Sequence, residues 1–106
     1  MLVDEADVHV GDVGTVFRLE VRDQDDAIVD VSGATTMNIT FKKPSGTTAV
    51  KTAVHATDGT DGLIQYITVS GDIDEAGVWQ YQGFIDLPAW EGHTLPVAFP
   101  VRRNLA

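Results

Sequence analysis

Gly71-Asp-Ile-Asp-Glu-Ala-Gly-Val-Trp-Gln-Tyr-Gln-Gly-Phe-Ile-Asp-Leu87 is the stretch from which the fold is read. It joins an acidic corner, closed by Gly77, to a segment in which Trp79, Tyr81, Ile85 and Leu87 recur at even spacing. That spacing puts the four side chains on one face of a β-strand. A strand with so large an apolar face belongs at the centre of a packed sheet. Asp72, Asp74 and Glu75 precede it, and acids in a tight corner are expected to accept hydrogen bonds from the turn's own amides. Asp72, Asp74, Gly77, Trp79 and Tyr81 are therefore read as a structural corner.

Working outward, the same period of two recurs. Phe17, Leu19 and Val21 alternate with Arg18, Glu20 and Arg22. Met37, Ile39 and Phe41 alternate with Asn38, Thr40 and Lys42. Leu95, Val97, Phe99 and Val101 alternate in the last strand, where Pro96 and Pro100 predict an edge or bulged position because proline donates no ladder bond. A weaker strand over 47–56 is anchored by Val50 and Val54. In the strand over 63–69, either Ile64 and Tyr66 or Leu63, Ile67 and Val69 face inward. Residues 1–10 read as an N-terminal arm or edge strand, with the strand itself over 3–10, and 102–106 as a C-terminal tail.

Turn signals separate these segments: Asp23-Gln24-Asp25-Asp26, Lys43-Pro44-Ser45-Gly46, two Asp-Gly steps at 58–62, and a hairpin tip at 88–93. No stretch carries a helical apolar period. About seven short strands at this spacing predict one all-β domain over 1–106, an immunoglobulin-like β-sandwich of antiparallel strands.

Composition limits the function. At 106 residues, 43% hydrophobic and 22% charged, the chain suits one globular domain that buries roughly two thirds of its unfolded surface. It has no cysteine, so disulfides and thiolate chemistry are excluded. The net charge of −9, with only seven Lys and Arg, argues against nucleic-acid binding, which needs a basic face. No run of about 18 apolar residues predicts membrane insertion. Acids follow Met1 where a secretory leader carries lysines. If Met1 is the true start, the expectation is a protein made and kept in the cytoplasm and not secreted.

Candidate chemistry is sparse. His9, His55 and His93 are far apart, and none has a second ligand at metal spacing. Asp23, Asp25 and Asp26, with Asp30 nearby, offer oxygens of the kind calcium takes, but the twelve-residue hand pattern is missing. No cofactor is expected. The serines at 32, 45 and 70 lack a nucleophile elbow, and scattered carboxylates do not by themselves specify acid–base work. The chain is read as a non-enzyme. Trp90 lies at the hairpin tip, off the register of Trp79, Tyr81 and Ile85. An exposed tryptophan there suits a protein interface; the other reading is that it folds back over Pro88 or Pro96 and caps the sandwich. His93 beside it and the basic pair Arg102 and Arg103 complete the candidate interface.

Several motifs occur in a familiar order: Gly11-Asp-Val-Gly-Thr15, an acidic turn at 23–26, Val31-Ser-Gly-Ala-Thr35, Lys43-Pro-Ser-Gly-Thr47, the corner Gly71 to Trp79, and Leu87-Pro-Ala-Trp-Glu-Gly-His93 before Phe99-Pro-Val101. In that order they resemble the N-terminal immunoglobulin-like domain of phage baseplate upper proteins, and related small sandwich proteins of tailed-phage particles. The likeness spans Gly11 to Val101. It implies a non-enzymatic virion component that contacts other virion proteins and further copies of itself. In baseplate upper proteins a longer region carrying receptor-binding proteins follows this domain; here the sequence ends, so a docking or decorating role fits better than an adhesin's. Two other readings stand beside a tail or baseplate subunit. One is a capsid decoration protein on the head. The other is a carbohydrate- or protein-binding module, with Trp79 and Trp90 as a stacking platform.

Overall fold

The computed structural model describes residues 8–104. Strands β1 (Val16–Glu20), β2 (Thr36–Lys42), β3 (Thr48–Thr52), β4 (Val54–His55), β5 (Leu63–Ile67), β6 (Gly77–Leu87), β7 (Trp90–His93) and β8 (Val97–Val101) follow one another without a helix among these residues. They form two antiparallel sheets. One has the order β1-β5-β4; the other runs β3-β2-β6, with both β7 and β8 along the remaining side of β6. Since β7 and β8 share one side of one strand, they act as a single interrupted strand. The count is then the seven expected, in an all-β sandwich of two antiparallel sheets.

β6 is the spine. Of its eleven residues, those from Gln80, opposite Lys42, to Asp86, opposite Thr36, pair with β2. On the other side the first half pairs with β8 and the second half with β7. The strand is long because its inward positions Trp79, Tyr81, Gly83 and Ile85 are all buried, which keeps a neighbour on each side over most of its length. Phe17, from the opposite sheet, inserts among three rings of this sheet, 5.0 Å from Phe41, 5.1 Å from Tyr81 and 4.8 Å from Phe99 between centroids. Edge-on aromatic contacts at such spacings add to the area term, and losing one such ring costs about 3–5 kcal/mol.

The expected bulge in the last strand sits between β7 and β8. Phe84 pairs with His93 and Tyr81 with Val97, so Gln82 and Gly83 face Thr94, Leu95 and Pro96, one residue too many. Thr94 ties the bulge down: the Gly83 amide donates to its Oγ1 at 2.9 Å, and its own amide donates to the Gly83 carbonyl at 3.0 Å. The extra residue breaks the alternation expected from Leu95 to Val101. Val97, Phe99 and Val101 keep the inward face, but Leu95 is 85% exposed.

The segment 47–56 also departs from expectation. It is two strands in two sheets, β3 and β4, with buried Ala53 at the crossing. Val50 and Val54 point outward, 61% and 53% exposed. Ala49, opposite Phe41, takes the inward position because the large ring already fills that volume. In β5 the open choice is settled. Ile64 is fully buried and Tyr66 half-buried, whereas Ile67 and Val69 are exposed.

At the N-terminal end, Val8 is buried and His9 bridges Arg102 in parallel. The Arg102 amide donates to the Val8 carbonyl at 2.9 Å and the Val10 amide to the Arg102 carbonyl at 3.1 Å. Asn104 Nδ2 donates to the Val10 carbonyl at 2.8 Å. Residues 102–104 are thus pinned to 8–10 rather than forming a free tail. The remainder of the expected arm, 1–7, and of the tail, 105–106, lies outside the described residues.

Candidate interaction site

The corner is a structural joint. Trp79, 1% exposed, donates its indole N–H to the Glu75 carbonyl at 3.0 Å. Asp72 does what a corner acid was expected to do, accepting the Val69 amide at 2.8 Å. Asp74 and Glu75 do not. They reach across to the turn between β2 and β3, where Asp74 pairs with Lys43 Nζ at 2.8 Å and Glu75 accepts the Ser45 hydroxyl at 2.9 Å. Lys43 Nζ also lies 5.8 Å from the Trp79 ring centre, within cation–π range. Gly77 has φ 130°, and a Cβ there would come within 2.7 Å of Pro44 Cγ. Glycine is needed both for the backbone angle and for the approach of the two turns.

Asp72 has a second task. Its carboxylate accepts the Tyr66 hydroxyl at 2.5 Å and pairs with Lys51 Nζ at 3.1 Å, linking β5, β3 and the corner. Burial works to raise the Asp72 pKa, but the Tyr66 hydroxyl, the Val69 amide and Lys51 outweigh it and hold the carboxyl below its ordinary range. Burial, and then the bond to Asp72 and its charge, push Tyr66 up to about 12. The cavity beneath, lined by Phe41, Lys51, Tyr66, Asp72 and Trp79, measures about 10 Å³. That is room for one water and no larger ligand.

Trp90 occupies different ground. The expected tip at 88–93 is shorter than read: Leu87 already pairs with Trp90, so only Pro88 and Ala89 turn the chain, and Trp90 begins β7. Its ring folds back over Gly92, where an added Cβ would lie 2.4 Å from the ring. The side chain is half-buried against the core. It therefore covers the sandwich edge and still borders a groove of about 660 Å³ between that edge and β1. Leu19, Leu95 and Val97 share the groove with it, Glu20, Asp23 and Asp26 rim it, and His93 stands at its end. The His93 ring packs 5.0 Å from Phe84. The structure thus brings Trp90 and His93 together. Arg102 and Arg103 lie elsewhere: Arg103 lines a separate hollow with Val10, Asp74 and Glu75. Trp79, fully buried, cannot share a stacking platform with Trp90.

The acidic turns are internally occupied. Asp23 Oδ1 accepts the amides of Asp25 and Ala27. Asp26 carries the one positive φ outside glycine among the described residues. Asp30, Asp58 and Asp61 are held below the usual carboxylate range, each chiefly by a hydroxyl, from Ser32, Thr60 and Thr57 respectively. Among the described residues no three His, Asp or Glu side chains converge as a cation site, and Asp23, Asp25 and Asp26 do not form one. His55 Nε2 is 2.7 Å from the Val31 carbonyl. The Ser32 and Ser45 hydroxyls donate to Asp30 and Glu75.

The groove and the cross-turn bonds of the corner were not legible beforehand, because their partners are some thirty or seventy residues apart in sequence. Pro96, next to Leu95, was the one local signal that the strand is interrupted there. No protein-family model and no curated protein matches the chain.

Proposed function

We propose that the protein is a non-enzymatic structural component of a tailed-phage virion: a tail or baseplate subunit, made in the host cytoplasm, that docks onto neighbouring virion proteins. The observation that carries this reading is the order of turn motifs from Gly11 to Val101, which resembles the immunoglobulin-like domain of phage baseplate upper proteins. The roles of those motifs agree with it. The Lys43–Gly46 turn and the Asp72–Gly77 corner bond one another, and their polar groups brace a frame rather than converge on a substrate. Such a frame serves an assembly through its edges and faces.

Immunogold labelling of purified particles with antibody to this chain tests the proposal. Grains at the tail tip or baseplate support it. Grains over the head make the protein a capsid decoration subunit, and unlabelled particles overturn the virion reading.

A further inference from the structure

Three features converge on one side of the sandwich. The first is an open edge. β1 pairs with β5 alone among the described residues. Thr15 and Val21 bond toward the β5 side, through Thr68 and Gly62. By the alternation of an antiparallel ladder, Phe17 and Leu19 do the same, and Val16, Arg18 and Glu20 turn their N–H and C=O groups away from it. This edge has no proline and no bulge, the usual protections against strand addition. The facing edge, β7–β8, has both, in Pro96, Pro100 and the Thr94–Pro96 bulge.

The second feature is the apolar floor between these edges. Leu95 is 85% exposed and Trp90 half-buried, with Leu19 and Val97 beside them. Gly83 lies beneath: a Cβ there would come within 3.0 Å of Leu19 and 3.1 Å of Thr94, so a larger residue would crowd the floor. The third is charge. Glu20, Asp23 and Asp26 rim the groove, and the single base, Arg22, is already paired with Glu20 at 2.7 Å and Asp26 at 3.8 Å.

We propose that the groove between β1 and β7–β8 docks an extended segment of a different protein, one that alternates apolar residues with Lys or Arg. Its backbone adds to the open edge of β1, its apolar side chains rest on Trp90, Leu95 and Val97, and its cations meet Glu20 and Asp23. The chain's own N-terminal segment fits poorly. Met1 to Asp7 contributes Asp4, Glu5 and Asp7 and no base. Lys43 and Lys51 are spent in ion pairs with Asp74 and Asp72, and Arg18 on Gln65. This inference concerns the groove and does not rest on the virion reading.

The test is selection of a displayed random 12-residue peptide library on the intact protein, with the enriched peptides then titrated against variants. The expected result is a consensus alternating apolar residues with Lys or Arg. Leu95→Asp should weaken binding about tenfold or more, and Glu20→Lys should weaken it and flatten its salt dependence. Val50→Asp, on the opposite edge of the molecule, should leave it unchanged. Leu95 is solvent-facing, so an unchanged melting temperature separates lost binding from lost folding. No enrichment, a consensus without bases, or full binding by Leu95→Asp overturns the proposal. So does self-association of the protein that Leu95→Asp abolishes, since that puts a second copy in the groove.

Discussion

The indole N–H of Trp79 donates to the carbonyl of Glu75, 3.0 Å away, and so ties the largest core side chain to the corner that precedes it. One side chain thereby fixes where β6 starts and how the corner turns. Trp79→Phe keeps an aromatic ring but removes this bond and part of the packing against Phe99. Urea denaturation should show a loss of about 2–3 kcal/mol. A loss no larger than that of an exposed-site variant would show that the corner is held without it.

The same corner depends on Gly77. Gly77→Ala forces a side chain into φ 130° and against Pro44, and a cost of about 2 kcal/mol is expected from strain and overlap together. Because part of that cost is contact with Pro44 Cγ, Pro44→Ala should recover a portion of it. A double-mutant cycle by urea denaturation reads the coupling; strictly additive effects would remove the clash from the account.

Acid should attack the Asp72 node. Its carboxyl is depressed in the folded protein, so its contribution is present above the unfolded value of about 3.9. It is lost as pH falls through the lower folded value. Asp72→Asn should cost about 1–3 kcal/mol at pH 7 and flatten the acid limb of stability against pH below about pH 4. An acid limb identical to the parent's would contradict the assignment.

Alkali reads the partner. Tyr66 is raised to about 12 from an unfolded value near 10. Below about pH 10 its contribution is fully present, and it fades as pH climbs toward the folded value because only the unfolded chain then releases the proton readily. Phenolate absorbance should show Tyr66 ionising late, and Asp72→Asn should bring that step down toward the ordinary range.

Gly92 tests the placement of Trp90. A Cβ at 92 overlaps the indole, so Gly92→Ala should swing the ring outward and shift tryptophan emission to the red. The stability cost should be about 1 kcal/mol or less, since the clash is with the end of a side chain that can rotate. Trp79, buried elsewhere, supplies an unshifted background.

Particular residues show how much the sequence reveals. Phe17, Ile39, Phe41, Trp79, Tyr81 and Ile85 were readable as core because each belongs to an unbroken alternation, and period two leaves one choice of face. Leu95 was misread because the bulge one residue long flips everything before it. Val50 and Val54 were misread because the inward positions of this segment carry Ala49, Lys51, Ala53 and His55, small or polar residues, while the larger valines fall on the exposed face. The bonds of Asp74 to Lys43 and Glu75 to Ser45 had no local signal; they join turns thirty-one and thirty residues apart. Trp90 was legible as off-register but not as half-covering a groove, since the opposite wall comes from β1.

Copy number is the measurement that bears most directly on the function proposed. Quantitative mass spectrometry of purified particles, normalised to the major shell protein, should find this chain at a few copies per particle, as a tail or baseplate subunit requires. Its absence from the particles would contradict the account, and near-parity with the shell protein would move it from the tail to the head.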